Sequence, residues 1–354
     1  MIGKRLPATI GMIINQYSEA FLKRSRGCIR IVALISEVSF EELIDEELPE
    51  LEKIEVRSKK KIYAEDGFAL WNYTVSRKVR NERIEGSFLA LQVGSFVFII
   101  TGHRPPFVRK CIMYIAKQLH PDIMVAYITA EEIYEILKNF SKVMEIELLY
   151  SKYVAKKVFG ERDTSVGFAR APYTEAFRKA RDARPRLWID SIRGFAEDES
   201  QTDFRLSREG HLNYYKGNFE QYYEHILIPI KEYCSRRLKI FEKRGRRENI
   251  DRELRPLLIR YDTKVFEDPF VRKQLVAVVG GYNSCNFSVI HKGNPHVYIN
   301  IVDRMDNSAF SLRTYGSDSL IIAPQVKASK ASLMRFSKHL IDNFLEGTIS
   351  DFKV

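Results

Sequence analysis

Three stretches of this sequence carry residue types at spacings that suggest chemistry. At the end of the strand-like "PLLIRYD", Asp262 stands two residues before Lys264. That is the order in which nucleases of the restriction-enzyme type hold Mg²⁺ on an acid and support the attacking water with a lysine. Such a site needs a second acid upstream. Asp251 is available, although the intervening "RELRP" does not read as the hairpin that would present it. On this reading Mg²⁺ is the only cofactor implied, and the same residues also read as a solvated strand end.

In "NFSVIHKGNPHVYINIVD" a four-residue loop from Lys292 to Pro295 would set His291 opposite His296 across a hairpin. Directly opposed side chains have Cβ atoms roughly 5 Å apart, so two imidazoles could share a metal with a third ligand from elsewhere. The other reading is a turn that happens to be flanked by histidines.

The third stretch is "SRRLKIFEKRGRR", where Arg236, Arg237, Lys239, Lys243, Arg244, Arg246 and Arg247 surround one acid, Glu242. On a helix turning 100° per residue, Tyr223, Leu227, Ile230, Cys234, Leu238 and Phe241 share one arc. Arg236, Lys239 and Lys243 then lie opposite, with Arg237 and Arg244 on the flank. A cationic outer face is also what solvation and the helix dipole favour. Here, however, Arg246, Arg247, Arg252, Arg255 and Arg260 continue the charge past the helix end. Arginine suits phosphate because its planar fork pairs two oxygens at once. Upstream, "HLNYYKGNFEQYYEH" interleaves aromatic and basic residues, as binders of unpaired bases do. Tyr214 and Tyr215 point oppositely on a strand, so whichever faces outward is the stacking candidate.

The balance of charge favours a polyanionic partner. The chain has 57 Lys+Arg against 46 Asp+Glu, a net charge of +11. Residues 151–250 hold 22 basic and 15 acidic residues, whereas residues 1–50 hold 6 and 8. A concentrated positive field favours nucleic acid or another acidic surface and says nothing about fold. Cys28, Cys111, Cys234 and Cys285 are far apart and unpaired in spacing, as reduced cytoplasmic thiols are. The apolar run at 88–101 is too short for a bilayer, and no signal peptide is legible, so no membrane role is expected. No phosphate-binding loop, dinucleotide fingerprint, nucleophile elbow or zinc spacing is present.

The elements that must position these groups read as α+β. Ile10, Ile13, Ile14, Tyr17 and Phe21 recur at helical spacing, and Cys28 to Ile35 read as a buried strand. Ser39 with Glu42, and Thr129 with Glu132, predict capping boxes. Residues 54–101 alternate as an antiparallel meander with a two-residue turn at Gly94-Ser95. Pro105 and Pro106 open a helix. Thinning branched residues and frequent Arg, Lys, Gly and Pro predict a basic linker or arm at 151–186. Beyond it, "LWIDSIRGF", "DFRLS", "HLNYYK", "PLLIRYD", "LVAVVGGY", "NFSVIH", "HVYINIVD", "AFSLRTY" and "LIIAP" read as strands. A long helix, kinked by Pro229, runs from about Asn218, and Leu333, Phe336, Leu340, Ile341 and Phe344 stripe a closing helix.

The sequence therefore predicts two α+β domains, 1–150 and 187–354, with antiparallel sheets each covered on one face by amphipathic helices. It favours a non-catalytic nucleic-acid-binding protein without a small-molecule cofactor, such as an accessory subunit of a partner enzyme. A Mg²⁺-dependent nuclease and a protein-interaction subunit are the alternatives.

Overall fold

The computed structural model describes residues 5–24, 27–48, 53–80, 82–155, 165–182, 187–197, 201–242, 256–292, 296–325 and 328–352. The α+β class holds, with two antiparallel sheets and helices between their strands in the chain. The chain divides into two compact units. The first comprises Met1–Lys152, Gly167–Phe177 and Ile189–Tyr233, and the second Tyr153–Val166, Arg178–Trp188 and Cys234–Val354. Among the described residues no helix is long and apolar enough to cross a membrane.

In the first sheet, β1 (Ile29–Ser36) lies between a meander and a second set of strands. The meander is β2 (Ile54–Glu65), β3 (Phe68–Val79), β4 (Glu82–Val93) and β5 (Phe96–Thr101). Its turns form where φ must be positive: Asp66 and Gly67 at 55° and 79°, and Gly94 at 61°. β6 (Ile123–Val125) pairs with β1 off the main path. The remaining strands are β7 (Glu145–Ala155), β8 (Ser165–Pro172), β9 (Leu187–Glu197), β10 (Thr202–Ser207) and β11 (His211–Lys216). The order is β2-β3-β4-β5-β1-β11-β10-β9-β7-β8.

This pairing moves the expected boundary. Strands β9 to β11 belong with β1, and the 151–186 stretch contributes β8, part of β7 and the helix Tyr173–Asp182. Local composition changes at 151–186, but strand pairing across nearly the whole unit decides where the compact units lie.

The core also departs from one-sided cover. On one face Val32, Leu34, Tyr73, Phe88, Val97 and Ile99 pack with Phe40, Leu43, Phe107 and Cys111 from two helical segments. On the other, Ile31, Ala33, Ile35, Phe96, Phe98 and Ile100 are equally buried. There Tyr223 meets Phe68, and Phe21 of the first helix, Ala8–Arg24, lies where a side chain on Gly102 would sit. Near-continuous apolar runs such as "IVALI" and "FVFII" are the signature of strands buried on both faces.

Of the two capping boxes, Thr129 and Glu132 form theirs reciprocally. Ser39 makes no side-chain cap; the Phe40 N–H instead donates to Gln92 Oε1 at 3.3 Å. Pro229 lies just past a π-helical stretch, Tyr223–Leu227, between Phe219–Tyr222 and Ile228–Glu242. The wider turn accommodates a ring that cannot donate to residue 225 and would crowd its carbonyl.

The second sheet has the order β13-β14-β15-β16-β12-β17, with β12 (Leu257–Arg260), β13 (Cys285–His291), β14 (Tyr298–Asp303), β15 (Ala309–Tyr315), β16 (Ser319–Pro324) and β17 (Thr348–Asp351). "LVAVVGGY" is not a strand: residues Pro269–Gly280 are helical, capped by Asp268, and bury Val271, Leu275 and Val279 four residues apart. The cap and N1 proline override the β preference of the valines. The closing helix, Lys330–Asn343, packs Phe336 on Phe310 and Tyr282. It also brings Ser332 and Arg335 onto the fully buried carboxylate of Asp303.

Candidate nucleic-acid interface

Burial divides the described cations that were expected to act together. On the helix Ile228–Glu242, Arg236 and Lys239 are exposed, but Arg237 is only 5% exposed. The buried arc of Tyr223, Leu227, Ile230, Cys234 and Phe241 extends to the Arg237 side, while Leu238 is only half-buried. Arg237, expected on the flank of the cationic ridge, is therefore withdrawn from solvent. Lys243, Arg244, Arg246, Arg247 and Asp251 lie outside the described residues.

Asp262 and Lys264 fall in the irregular segment after β12, where the Lys264 ammonium pairs with Glu267 at 3.3 Å and both side chains are largely exposed. His291 sits opposite Tyr298, not His296, because the ladder shifts between Val289 and His291; its Nδ1 lies 3.0 Å from the His296 carbonyl. The irregularity carries the register past the facing pair that loop length alone predicts. Among the described residues, no group of three His, Cys, Asp or Glu could hold a metal ion.

Tyr214 and Tyr215 divide as strand geometry requires. Tyr214 is buried, its ring against Phe219 and Tyr222 and its hydroxyl donating to the Gly217 carbonyl. Tyr215 is the half-exposed member. Asn213 Nδ2 donates to its hydroxyl at 3.2 Å, and the Arg193 guanidinium lies 4.1 Å from its ring centroid.

Around Tyr215 the register assembles a row that no single segment announces. Arg30 on β1 is directly opposite Asn213 on β11, Asn213 is opposite Arg205 on β10, and Arg205 is opposite Arg193 on β9. Opposed residues point to the same face, so three guanidinium groups and an amide cross four adjacent strands. At about 4.8 Å per strand the row spans about 14 Å. All four residues are half-buried.

Among the described residues, one carboxylate serves this row. Asp203 accepts from Arg193 Nε at 3.0 Å and from Nη2 at 2.7 Å, a bidentate pair that holds the Arg193 proton more firmly than usual. Arg205 donates to Ser191 Oγ at 3.2 Å, and Arg30 to the carbonyls of His103 at 2.8 Å and Cys28 at 3.4 Å. Among the described residues neither Arg30 nor Arg205 has a carboxylate partner. The buried Cys28 thiol lies in the same field: desolvation raises its pKa while Arg30, Arg193 and Arg205 oppose the rise. The one pair of like charges directly opposed in the row is Arg205 and Arg193, the second of them engaged by Asp203.

No known family model and no curated protein matches the chain.

Asn213, Arg205 and Arg193 escape a search for motifs because each stands on an ordinary amphipathic strand, and Arg30 because it stands near the start of a strand otherwise buried on both faces. In "DFRLS", Phe204 and Leu206 face the core and Arg205 faces outward, as any half-buried strand would place them. The available signal is the parity of "SIRGF", "DFRLS" and "HLNYY", which allots a polar residue to the same face of each strand. Their convergence depends on pairing with β1, about 180 residues earlier.

Proposed function

We propose that this is a non-catalytic nucleic-acid-binding protein whose phosphate contacts are made by Arg30, Arg205 and Arg193, with Tyr215 beside them. The observation that carries the reading is the row itself: three guanidinium groups within four adjacent strands, with one described carboxylate, Asp203, engaged by only one of them. Such a surface receives phosphates because forked donors pair with their oxygens and displaced counterions supply free energy. The exposed Arg236 and Lys239 of the second unit belong to the same proposal as further phosphate contacts. The same proposal includes a role as accessory subunit, presenting this face to nucleic acid for a partner enzyme.

A salt titration tests it. Log K against log salt should fall, with a slope reduced by about 1.4 when Arg30 and Arg205 are both replaced by glutamine, as expected for two contacts to a single strand. Unchanged affinity and slope in Arg30→Gln/Arg205→Gln would exclude the row as the phosphate site.

A further inference from the structure

We infer that the row receives single-stranded nucleic acid; this rests on the nucleic-acid reading above and adds the state of the strand. Strands β1, β11, β10 and β9 are all interior to the sheet. The row therefore stands on a broad face and has no projecting edge. A duplex keeps its base edges at the floor of grooves that admit a helix or a two-stranded ribbon. A face four strands wide cannot enter them and would reach only phosphates.

The face also offers rings. Tyr215 and Phe195 are both half-buried on it, Phe195 being directly opposite Asp203 in the β9–β10 register. The Arg193 guanidinium, fixed by its bidentate pair with Asp203, covers one side of the Tyr215 ring. Aromatic rings and guanidinium planes on a sheet are surfaces on which splayed bases stack, while neighbouring arginines hold the connecting phosphates. A span of about 14 Å suits two or three nucleotides. Asn213 shares the face, but its amide already donates to Tyr215, so the described groups favour stacking over base-edge reading.

The test uses the full-length protein and four probes: a fluorescent strand of about 15 nucleotides, its duplex, the same strand with abasic sugars, and heparin as a polyanion without bases. DNA and RNA versions of the strand are run in parallel, and preference for either strand over its duplex supports the inference. The strand should bind about tenfold or more tightly than its duplex or the abasic version. Tyr215→Leu should weaken strand binding by about 5- to 100-fold while leaving heparin binding near wild type, and Tyr215→Phe should restore it. Arg193→Lys keeps the charge but loses the plane, and should likewise weaken the strand more than heparin. It serves as a second variant if Tyr215→Leu melts early. Equal binding of strand, duplex and abasic strand would overturn the inference. If heparin and duplex then still respond to Arg30→Gln/Arg205→Gln, the polyanion reading survives alone. If no probe binds, both fall.

Discussion

Replacing Arg205 with glutamine should separate function from stability in a way that a structural arginine would not. Arg205 faces Arg193 on one side and Asn213 on the other, and its own polar contact is Ser191 Oγ. Removing the charge relieves a like-charge opposition worth about 0.2–1 kcal/mol. It also disturbs one half-buried hydrogen bond worth about 0.5–1.5 kcal/mol, which the glutamine amide can partly remake. The two nearly offset, so unfolding free energy should stay within about 1 kcal/mol of wild type. Binding should not be spared. One lost phosphate contact lowers the salt slope by about 0.7, which at about 0.15 M salt weakens binding about 4-fold and at about 0.05 M about 8-fold. Fluorescence anisotropy at several salt concentrations gives the slope, and a thermal melt of the same sample gives the stability. Unchanged affinity, or a loss of affinity accompanied by a collapse of the melt, would refute the reasoning.

Three further outcomes follow from the packing. The Ser87 N–H donates to His103 Nε2 at 3.0 Å, and burial lowers the His103 pKa, so folding favours the neutral ring. Because the folded value is the lower one, the contribution is present above the unfolded value of about 6.5 and is lost as pH falls from there through the lower folded value; His103→Gln should flatten the change in urea midpoint between about pH 7.5 and 5.5. Thr129→Ala removes the acceptor of the Glu132 N–H and should cost about 1 kcal/mol, seen as faster amide exchange at the start of the helix Ala130–Phe140. Arg335→Ala would leave the fully buried Asp303 without its cation and should destabilise the second unit by about 3–5 kcal/mol, read from amide exchange along Lys330–Asn343. Replacing Asp303 and Arg335 together with Leu and Met should recover much of that loss, and no recovery would argue against charge burial as the cause.

Sequence and tertiary structure each decided a definable part of this protein. Periodicity and turn chemistry determined the meander at 54–101, the capped helix after Thr129, the closing helix and the outward position of either Tyr214 or Tyr215, because these depend on neighbours within a few residues. The helical identity of Pro269–Gly280 was also written locally, in Asp268 and Pro269, but a run of valines obscured it. Charge counting found an excess of arginine and lysine and assigned it to the stretch where they are densest. What only the tertiary structure decided is which cations stand together. The register of β1 on β11, β11 on β10 and β10 on β9 set Arg30, Arg205 and Arg193 in one row, while the arc buried along another helix withdrew Arg237 from solvent. A strand's own residues specify its two faces through their alternation, but its partner and register are chosen by the burial of all the strands together.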